Sequence, residues 1–281
     1  MKVSFLLNKS PISFDSLQKR WFFYLILLVS VVLVYLPTFS GEFILDDKSF
    51  IENNSCIKDN QSFASYFIQE DGATETWEGN IEHTGYYRPL INLTYRIDYM
   101  LWGVNAQGFR TSNVIFHILS CLFLYNIILL PVNDRKAALL ATVLFALHPV
   151  NTESVSWIVA RNNILVTLTV LSSLYFFIRG WEKNEVFPIA LSVLCFALAV
   201  LSKEFGLMIL PVFVLYQTMV SKRKGTFLEK MGIYVPYLAV VIIYFILRKN
   251  VTTLLLPPFD MNDLLARIYY VPYICLLYTS P

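Results

Sequence analysis

The first apolar run of the chain sets the kind of protein it can form. Residues 21–41 carry no charged side chain over about 20 residues, the length at which an α-helix crosses a ~30 Å hydrocarbon core. Bulky residues around Pro37 and the absence of a small-residue cleavage site favour a retained anchor over a signal peptide. The whole chain is 56% apolar and 15% charged, with a mean hydropathy of +0.56. These values are typical of a membrane protein.

Further apolar runs follow the first, and several are only about 17 residues long, near the lower limit for a span. They lie at 111–132, 137–152, 162–178, 186–202, 205–221 and 231–247, and another begins near Ile268. The sequence therefore predicts an all-α, polytopic membrane protein with about seven to eight transmembrane helices. Its predicted divisions are an N-terminal segment at 1–20, a first helix at 21–41, a large loop at 42–110 and a membrane domain at 111–274.

The placement of basic residues predicts the orientation. They precede the first run and recur on alternate connections: Lys2, Lys9, Lys19, Arg20, Arg135, Lys136, Arg179, Lys183, Lys222, Arg223, Lys224 and Lys230. The positive-inside rule puts these connections in the cytoplasm and the loop at 42–110 on the opposite side. We expect a multi-pass protein of a bacterial inner membrane, with its site facing the periplasm, or of the endoplasmic reticulum membrane, with its site facing the lumen.

Several function classes find no support in the sequence. The net charge of +2 is too small to indicate nucleic-acid binding, and the four cysteines show no paired spacing. A metal-ligand spacing, a Gly-rich phosphate loop and a Gly-x-Ser-x-Gly elbow are all missing from the sequence. We therefore predict no metal and no firm cofactor.

Ionisable residues collect at the predicted non-cytoplasmic ends of the runs. Asp46 and Asp47 directly follow the first run, and the loop after them contains a helical pattern at 93–104 that suits a helix on the membrane surface. The other candidates are Arg88, His148, Glu153, Arg161, Lys203 and Glu204. Such residues cost about 2.5–3.5 kcal/mol each inside a membrane and usually face a cavity or a partner. Both signs of charge suit a site where cations hold a lipid phosphate and a carboxylate removes a proton.

The same residues are compatible with structural roles. Asp46 and Asp47 are ordinary residues for the end of a hydrophobic segment, and Arg161 is able to reach the interface with its long side chain. His148 and Glu153 suit a helix cap or a short re-entrant turn, and Lys203 suits a local ion pair with Glu204. The sequence leaves both interpretations open for each residue.

An ordered series of motifs resembles a known family. It runs Asp46-Asp47, Tyr87-Arg88-Pro89-Leu90, Gly108-Phe109 with Asn113 and His117, His148-Pro149-Val150 with Glu153 and Arg161, and Lys203-Glu204. This series resembles the membrane half of the transmembrane and tetratricopeptide-repeat-containing protein O-mannosyltransferases and their prokaryotic relatives. The resemblance covers about residues 40–270.

The resemblance implies an inverting hexosyltransferase. Such an enzyme takes a sugar, here expected to be mannose, from a polyprenyl-phosphate donor and transfers it to a Ser or Thr hydroxyl of a protein, or to a glycan. It implies Asp46 or Asp47 as the catalytic base and Arg88, Arg161 and Lys203 as donor-phosphate ligands. Tyr87, His148, Glu153 and Glu204 match the motifs more loosely. The implied partners are the lipid-linked donor, the acceptor and membrane lipids.

Family relatives continue into tetratricopeptide repeats, and this chain contains none. Residues 275–281 can be encoded by the end of a sequencing-library transposon, so we expect them to be read-through outside the natural protein.

Two other functions remain open at this stage. If the chain is a transporter or flippase, we expect polar residues at mid-membrane in two related halves. If it is a non-catalytic scaffold, we expect it to tolerate changes at Asp46, Asp47 and Arg161.

Overall fold

The computed structural model describes residues 14–58, 62–68, 74–75, 81–82 and 86–252. Almost all of these residues are helical, as predicted. The α-helices are α1 Phe14–Tyr35, α2 Ser55–Lys58, α3 Pro89–Trp102, α4 Ala106–Val132, α5 Arg135–Ala146, α6 Val150–Ser156, α7 Arg161–Lys183, α8 Val186–Ser202, α9 Ile209–Leu215, α10 Phe227–Gly232 and α11 Val235–Val251. The predicted eighth crossing and the read-through at 275–281 lie outside the described residues.

Short irregular helices and one strand pair complete the described fold. The 3₁₀ turns are Leu36–Ser40, Phe63–Ile68 and Glu204–Met208, and the π turns are Lys48–Glu52 and Tyr216–Val220. Strands β1 Thr74–Glu75 and β2 Ile81–Glu82 pair antiparallel, with Thr74 opposite Glu82. This pair lies in the loop predicted at 42–110.

Four helical stretches among the described residues are long and apolar enough to cross a membrane. They are Trp21–Ser40, Ala106–Val132, Arg161–Lys183 and Phe227–Val251. Val186–Ser202 and Glu204–Val220 are apolar but shorter, and a 17-residue helix rises only about 25 Å, less than the ~30 Å core. Each predicted apolar run that lies within the described residues is helical, but the predicted total of seven to eight crossings is not confirmed.

The run predicted at 137–152 is divided in two. Helices α5 and α6 meet at an angle of 66° across a short break and together would make a fifth span. Pro149 lies in the break, where its missing N–H and rigid ring oppose a continuous helix. The bend gives this region the form of a broken span or a re-entrant loop.

Polar residues cap other helix ends. The Asn105 side chain accepts a hydrogen bond from the Gln107 N–H at the start of α4, and Asp134 does the same for Lys136 and Ala137 at the start of α5. Asn133 and Asn184 end α4 and α7 in the left-handed region, a conformation that Asn tolerates well.

The surface helix predicted at 93–104 coincides with α3 as far as Trp102, where α3 ends, and the polar side of α3 faces inward. Arg96 and Asp98 are buried, whereas Ile97, Met100 and Leu101 are exposed. An apolar exposed side suits a helix whose outer face contacts lipid.

Buried side chains form three clusters, and the second of them joins the long loop to the helical bundle. This cluster contains Ile51, Ile57, Ile91, Tyr95, Ala106, Phe109, Ile158 and Leu165. The loop segment around Ile51 and Ile57 therefore packs directly on α3, α4 and α7. That packing holds the predicted site residues of the loop against the ends of the helices.

Candidate active site

The two adjacent carboxylates of the loop point in opposite directions. Asp46 is exposed, and Asp47 has 0% of its surface exposed. The Asp47 carboxylate accepts hydrogen bonds from the backbone N–H of Ile44 at 3.2 Å and of Val159 at 3.0 Å. Leu45 adopts a φ of 47°, a conformation uncommon for a non-glycine residue and typical of a tight turn. The turn thus presents Asp46 outward while Asp47 anchors it.

The environment of Asp47 changes its acidity. Burial raises the pKa of this carboxyl above its ordinary value. The two backbone N–H groups and the nearby positive charge of Arg110 act in the opposite direction, and the negative charge of Asp46 adds to the rise. Burial outweighs the stabilising contacts, so Asp47 takes up a proton at a higher pH than an exposed aspartate.

Arg110 fixes the backbone just before this turn. Its guanidinium donates hydrogen bonds to the carbonyl oxygens of Gly41 and Glu42, and its Nε donates to the carbonyl of Ser156 at 3.2 Å. A Cβ atom on Gly41 would lie 3.0 Å from the guanidinium carbon, so a larger residue would crowd the contact. Arg110 was not among the predicted site residues, although a lone charge at the start of an apolar run is a signal for it.

Arg161 is fully buried in the interior of the bundle. It forms an ion pair with Asp98 at 2.5 Å and donates to the Asn113 side chain at 2.7 Å and to the Phe109 carbonyl at 2.9 Å. Its guanidinium lies 4.7 Å from the centroid of the Tyr95 ring. These contacts join α3, α4 and α7 and leave 0% of the side chain exposed. The predicted contact between Arg161 and a donor phosphate stays a prediction, and this geometry favours a positioning role instead.

Arg88, Lys203, Glu204 and Arg248 form a second group, called here the cation cluster. Glu204 pairs with Arg88 at 3.3 Å and with Arg248 at 3.6 Å. Lys203 donates to the Asn163 side chain at 2.5 Å. The side chains of Arg88, Glu204 and Arg248 are 12%, 26% and 12% exposed. The group is thus half-buried but reachable from outside.

The cation cluster carries three positive charges and one negative charge. Burial lowers the pKa of Lys203, the positive charge of Arg88 lowers it further, and Glu204 acts in the opposite direction. An excess of positive charge in a partly buried site suits an anion such as phosphate, which Arg binds in a two-pronged geometry. Sequence reasoning singled out all of the cluster except Arg248. Arg248 could have been found as a basic residue at the end of an apolar run, on the predicted non-cytoplasmic side, where basic residues are few.

One short segment supports both groups. Within it, the Val159 N–H binds Asp47, and the Asn163 side chain accepts from Lys203. The backbone between them forms a turn that leads into α7. In this turn the Arg161 N–H donates to the Ile158 carbonyl, and the Asn163 N–H donates to the Ala160 carbonyl. The carboxylate turn and the cation cluster are therefore coupled through about one helical turn of chain.

The remaining predicted residues are dispersed. Tyr87 is buried, donates from its hydroxyl to the Phe67 carbonyl at 3.0 Å, and packs against Tyr244 beneath the cation cluster. His148 is exposed at the break before α6 and accepts from the Val150 N–H at 3.2 Å. Glu153 is exposed on α6. Among the described residues, neither His148 nor Glu153 contacts Asp47 or the cation cluster.

His117 lies inside α4, between the rings of Tyr35 and Phe145, with its Nε2 atom 3.0 Å from the Ala146 carbonyl. Its environment is that of a packed core residue. Within the described ranges, no group of three His, Cys, Asp or Glu side chains is arranged to hold a metal ion.

Comparison with known proteins identifies the family. Residues 83–248, more than half of the chain, match the sequence model of dolichyl-phosphate-mannose-protein mannosyltransferase. The chain belongs to this mannosyltransferase family. The matched range contains the whole cation cluster, Arg161 and Arg110, whereas Asp46 and Asp47 precede it. The resemblance stated from the motifs is confirmed.

Individual relatives agree with this assignment. A protein O-mannosyl-transferase of Caenorhabditis elegans is 31% identical over 192 residues, which are 67% of this chain and 27% of that protein. Human protein O-mannosyl-transferase TMTC3 is 30% identical over 184 residues, 64% of this chain and 20% of that protein. Mouse protein O-mannosyl-transferase TMTC4 is 29% identical over 215 residues, 67% of this chain and 28% of that protein.

The chain thus spans between a fifth and little more than a quarter of these relatives. No solved structure matches it significantly. The names of the relatives and the apolar helices together support a multi-pass membrane glycosyltransferase.

Proposed function

We propose that this chain forms the membrane part of an enzyme that transfers mannose from a polyprenyl-phosphate donor to Ser or Thr hydroxyls of proteins. The observation that carries the proposal is the coupling of an exposed carboxylate turn to a half-buried cation cluster through the Val159–Asn163 turn. A sugar-phosphate transfer needs both parts: a base for the acceptor and positive charge for the leaving phosphate.

Asp46 is the proposed base, because its side chain is exposed while both oxygens of Asp47 bind backbone N–H groups. Asp46 takes the proton of the acceptor hydroxyl as the oxygen attacks the anomeric carbon of the sugar. The bond between that carbon and the phosphate oxygen breaks, and the electron pair leaves with the phosphate. Attack from the side opposite the leaving group inverts the configuration.

The cation cluster is the proposed donor-phosphate site. Arg88 and Arg248 pair with one carboxylate, Glu204, and Lys203 precedes it in the chain, so the cluster keeps an excess of two positive charges for the departing polyprenyl phosphate. Glu204 holds the two arginines at fixed positions before the donor binds. Arg161 supports the same region from inside through Asp98 and Asn113. Preorganised charge of this kind stabilises the transition state more than mobile charge does.

The proposed orientation follows from the basic connections. The carboxylate turn and the cation cluster lie at the ends of helices opposite Arg135, Lys183 and Lys222, which the positive-inside rule assigns to the cytoplasm. The site then faces the periplasm in a bacterium or the lumen of the endoplasmic reticulum in a eukaryote. A transporter is the weaker alternative, because the described charges gather at the ends of helices rather than along a path between them.

Transfer of label tests the proposal. Full-length protein in membrane vesicles receives radiolabelled polyprenyl-phosphate mannose, or the matched glucose donor, together with Ser- and Thr-containing peptides. We expect mannose on the peptides and its release by mild alkali, which cleaves O-linked sugars. Glu185→Gln, an exposed residue at the opposite helix ends, is the matched control and retains transfer. If neither donor transfers label to the peptides, the proposal is contradicted and a transporter or a scaffold is favoured.

A further inference from the structure

An open cavity of about 650 Å³ lies beside the carboxylate turn. Its lining comes from three neighbouring parts of the chain: the segment after α1, the Lys48–Glu52 turn, and the start of α4. Phe43 and Lys48 both line it, and Asp46 lies on the segment between them. The volume is in the range of sites that bind ligands. The proposed base thus lies on a segment whose two flanks, Phe43 and Lys48, both line the cavity.

The charge of this cavity is opposite to that of the cation cluster. Glu42 and Glu52 line it together with one cation, Lys48. Within the described part of the chain, no ion pair within 4 Å neutralises either glutamate. Asp46, on the segment between Phe43 and Lys48, adds a further exposed negative charge. This environment repels a phosphate and attracts a cationic group.

Phe43, Val104 and Ala106 add apolar surface to the lining, and two side-chain amides add polar groups that suit a polypeptide. Asn105 and Gln107 lie at the start of α4 on the wall formed by that helix. The Asn105 oxygen caps the helix by accepting from the Gln107 N–H, so the Asn105 amide NH₂ stays available to donate to a carbonyl. Side-chain amides of this kind bind the backbone of an extended segment without regard to its sequence.

Arg110 keeps the wall in place without neutralising it. Its guanidinium is buried and bound to the carbonyls of Gly41 and Glu42. The Glu42 backbone is thereby fixed, while its side chain stays exposed. The carboxylate can therefore be altered without removing the contact that holds the loop.

We propose that this cavity is the acceptor site and that Glu42 and Glu52 select protein segments with a Lys or Arg close to the accepting Ser or Thr. The inference rests on the proposed transferase function and names its substrate class. A neutral glycan acceptor gains nothing from the two carboxylates, whereas a basic peptide is attracted by both. The donor phosphate then binds at the positive cation cluster, and the acceptor peptide binds at the negative cavity.

The test uses three peptides that differ in one residue two positions from the acceptor Ser: Lys, Gln or Glu. Full-length wild-type protein in vesicles is expected to show about a tenfold higher kcat/KM for the Lys peptide than for the Glu peptide at low salt, a preference that shrinks as salt increases. The difference should lie in KM, because the carboxylates bind the peptide and take no part in the chemical step.

Variants separate selection from folding. Glu42→Gln with Glu52→Gln is expected to bring the three peptides to nearly equal kcat/KM, and Glu42→Lys with Glu52→Lys to reverse the preference. Glu185→Gln should keep the wild-type preference. Equal use of the three peptides by the wild type would overturn this inference alone. Absence of label on every peptide would overturn the proposed function and this inference with it.

Discussion

The carboxylate of Asp47 accepts a hydrogen bond from the Val159 N–H at 3.0 Å, across 112 residues of sequence. This contact joins the loop after α1 to the turn that begins α7. Four residues later, Asn163 binds Lys203 of the cation cluster. The bond is therefore one link that fixes the separation between the carboxylate turn and the cation cluster.

Asp47→Asn should change how stability depends on pH. Burial raises the folded-state pKa of Asp47 above its unfolded value of about 3.9. The folded state thus holds the proton more tightly, and the stability gained from that proton is complete below pH ~3.9 and lost as pH rises through the folded pKa. Wild-type unfolding temperature should fall over this interval, relative to the variant. If the unfolding temperatures of the two proteins change with pH in the same way, the raised pKa of Asp47 is contradicted.

Arg110→Lys should loosen the carboxylate turn even though it keeps the charge. A lysine ammonium cannot span the carbonyls of Gly41, Glu42 and Ser156 in the planar geometry of a guanidinium. We expect a roughly ten- to hundredfold loss of kcat, with little change in the KM for the donor. Protease cleavage within residues 41–54 should become faster. Unchanged cleavage and kcat would show that Arg110 has no positioning role.

Arg248→Gln should weaken donor binding. Hydrogen bonds to charged groups contribute about 1.5–3 kcal/mol, so the KM for the polyprenyl-phosphate sugar should increase about ten- to hundredfold. The same change should leave the KM for the acceptor peptide near the wild-type value. Lys249→Gln, which alters the neighbouring exposed residue, is the control. An effect on the acceptor KM alone would place the phosphate elsewhere.

Arg161→Leu should destabilise the fold rather than change donor affinity. Removing one member of a buried ion pair costs about 3–5 kcal/mol, because Asp98 remains as an unpaired buried charge. The paired change Arg161→Leu with Asp98→Leu should recover part of this stability. Chemical denaturation in detergent measures both effects. A stable single variant with a strongly raised donor KM would restore Arg161 to the phosphate site.

The helices were predictable because their signal is local. Each apolar run within the described residues is helical, and Asn105, Asp134 and Pro149 lie at the ends or breaks that their side chains favour. The number of crossings was less certain, since α8 contains only 17 residues. Sequence length alone does not decide whether such a helix spans a bilayer or stops within it.

The roles within the site depend on tertiary contacts that sequence spacing does not encode. Asp46 and Asp47 are chemically identical, and only the turn at Leu45 and the distant Val159 N–H make one exposed and the other buried. Arg161 resembled an interfacial cation because its partners Asp98 and Asn113 come from other helices. Arg248 joins the cluster for the same reason, through Glu204, which is 44 positions earlier in the sequence.

The most direct test of the account is the mannose-transfer rate of Asp46→Asn. Loss of a general base typically lowers kcat by about 10²–10⁴, and the exposed position of Asp46 should leave the unfolding temperature and donor KM unchanged. Equal amounts of wild type and variant in vesicles, given labelled polyprenyl-phosphate mannose and excess peptide, provide the comparison. We predict a loss of at least a hundredfold in kcat. Transfer by the variant at the wild-type rate would contradict the assignment of Asp46 as the base.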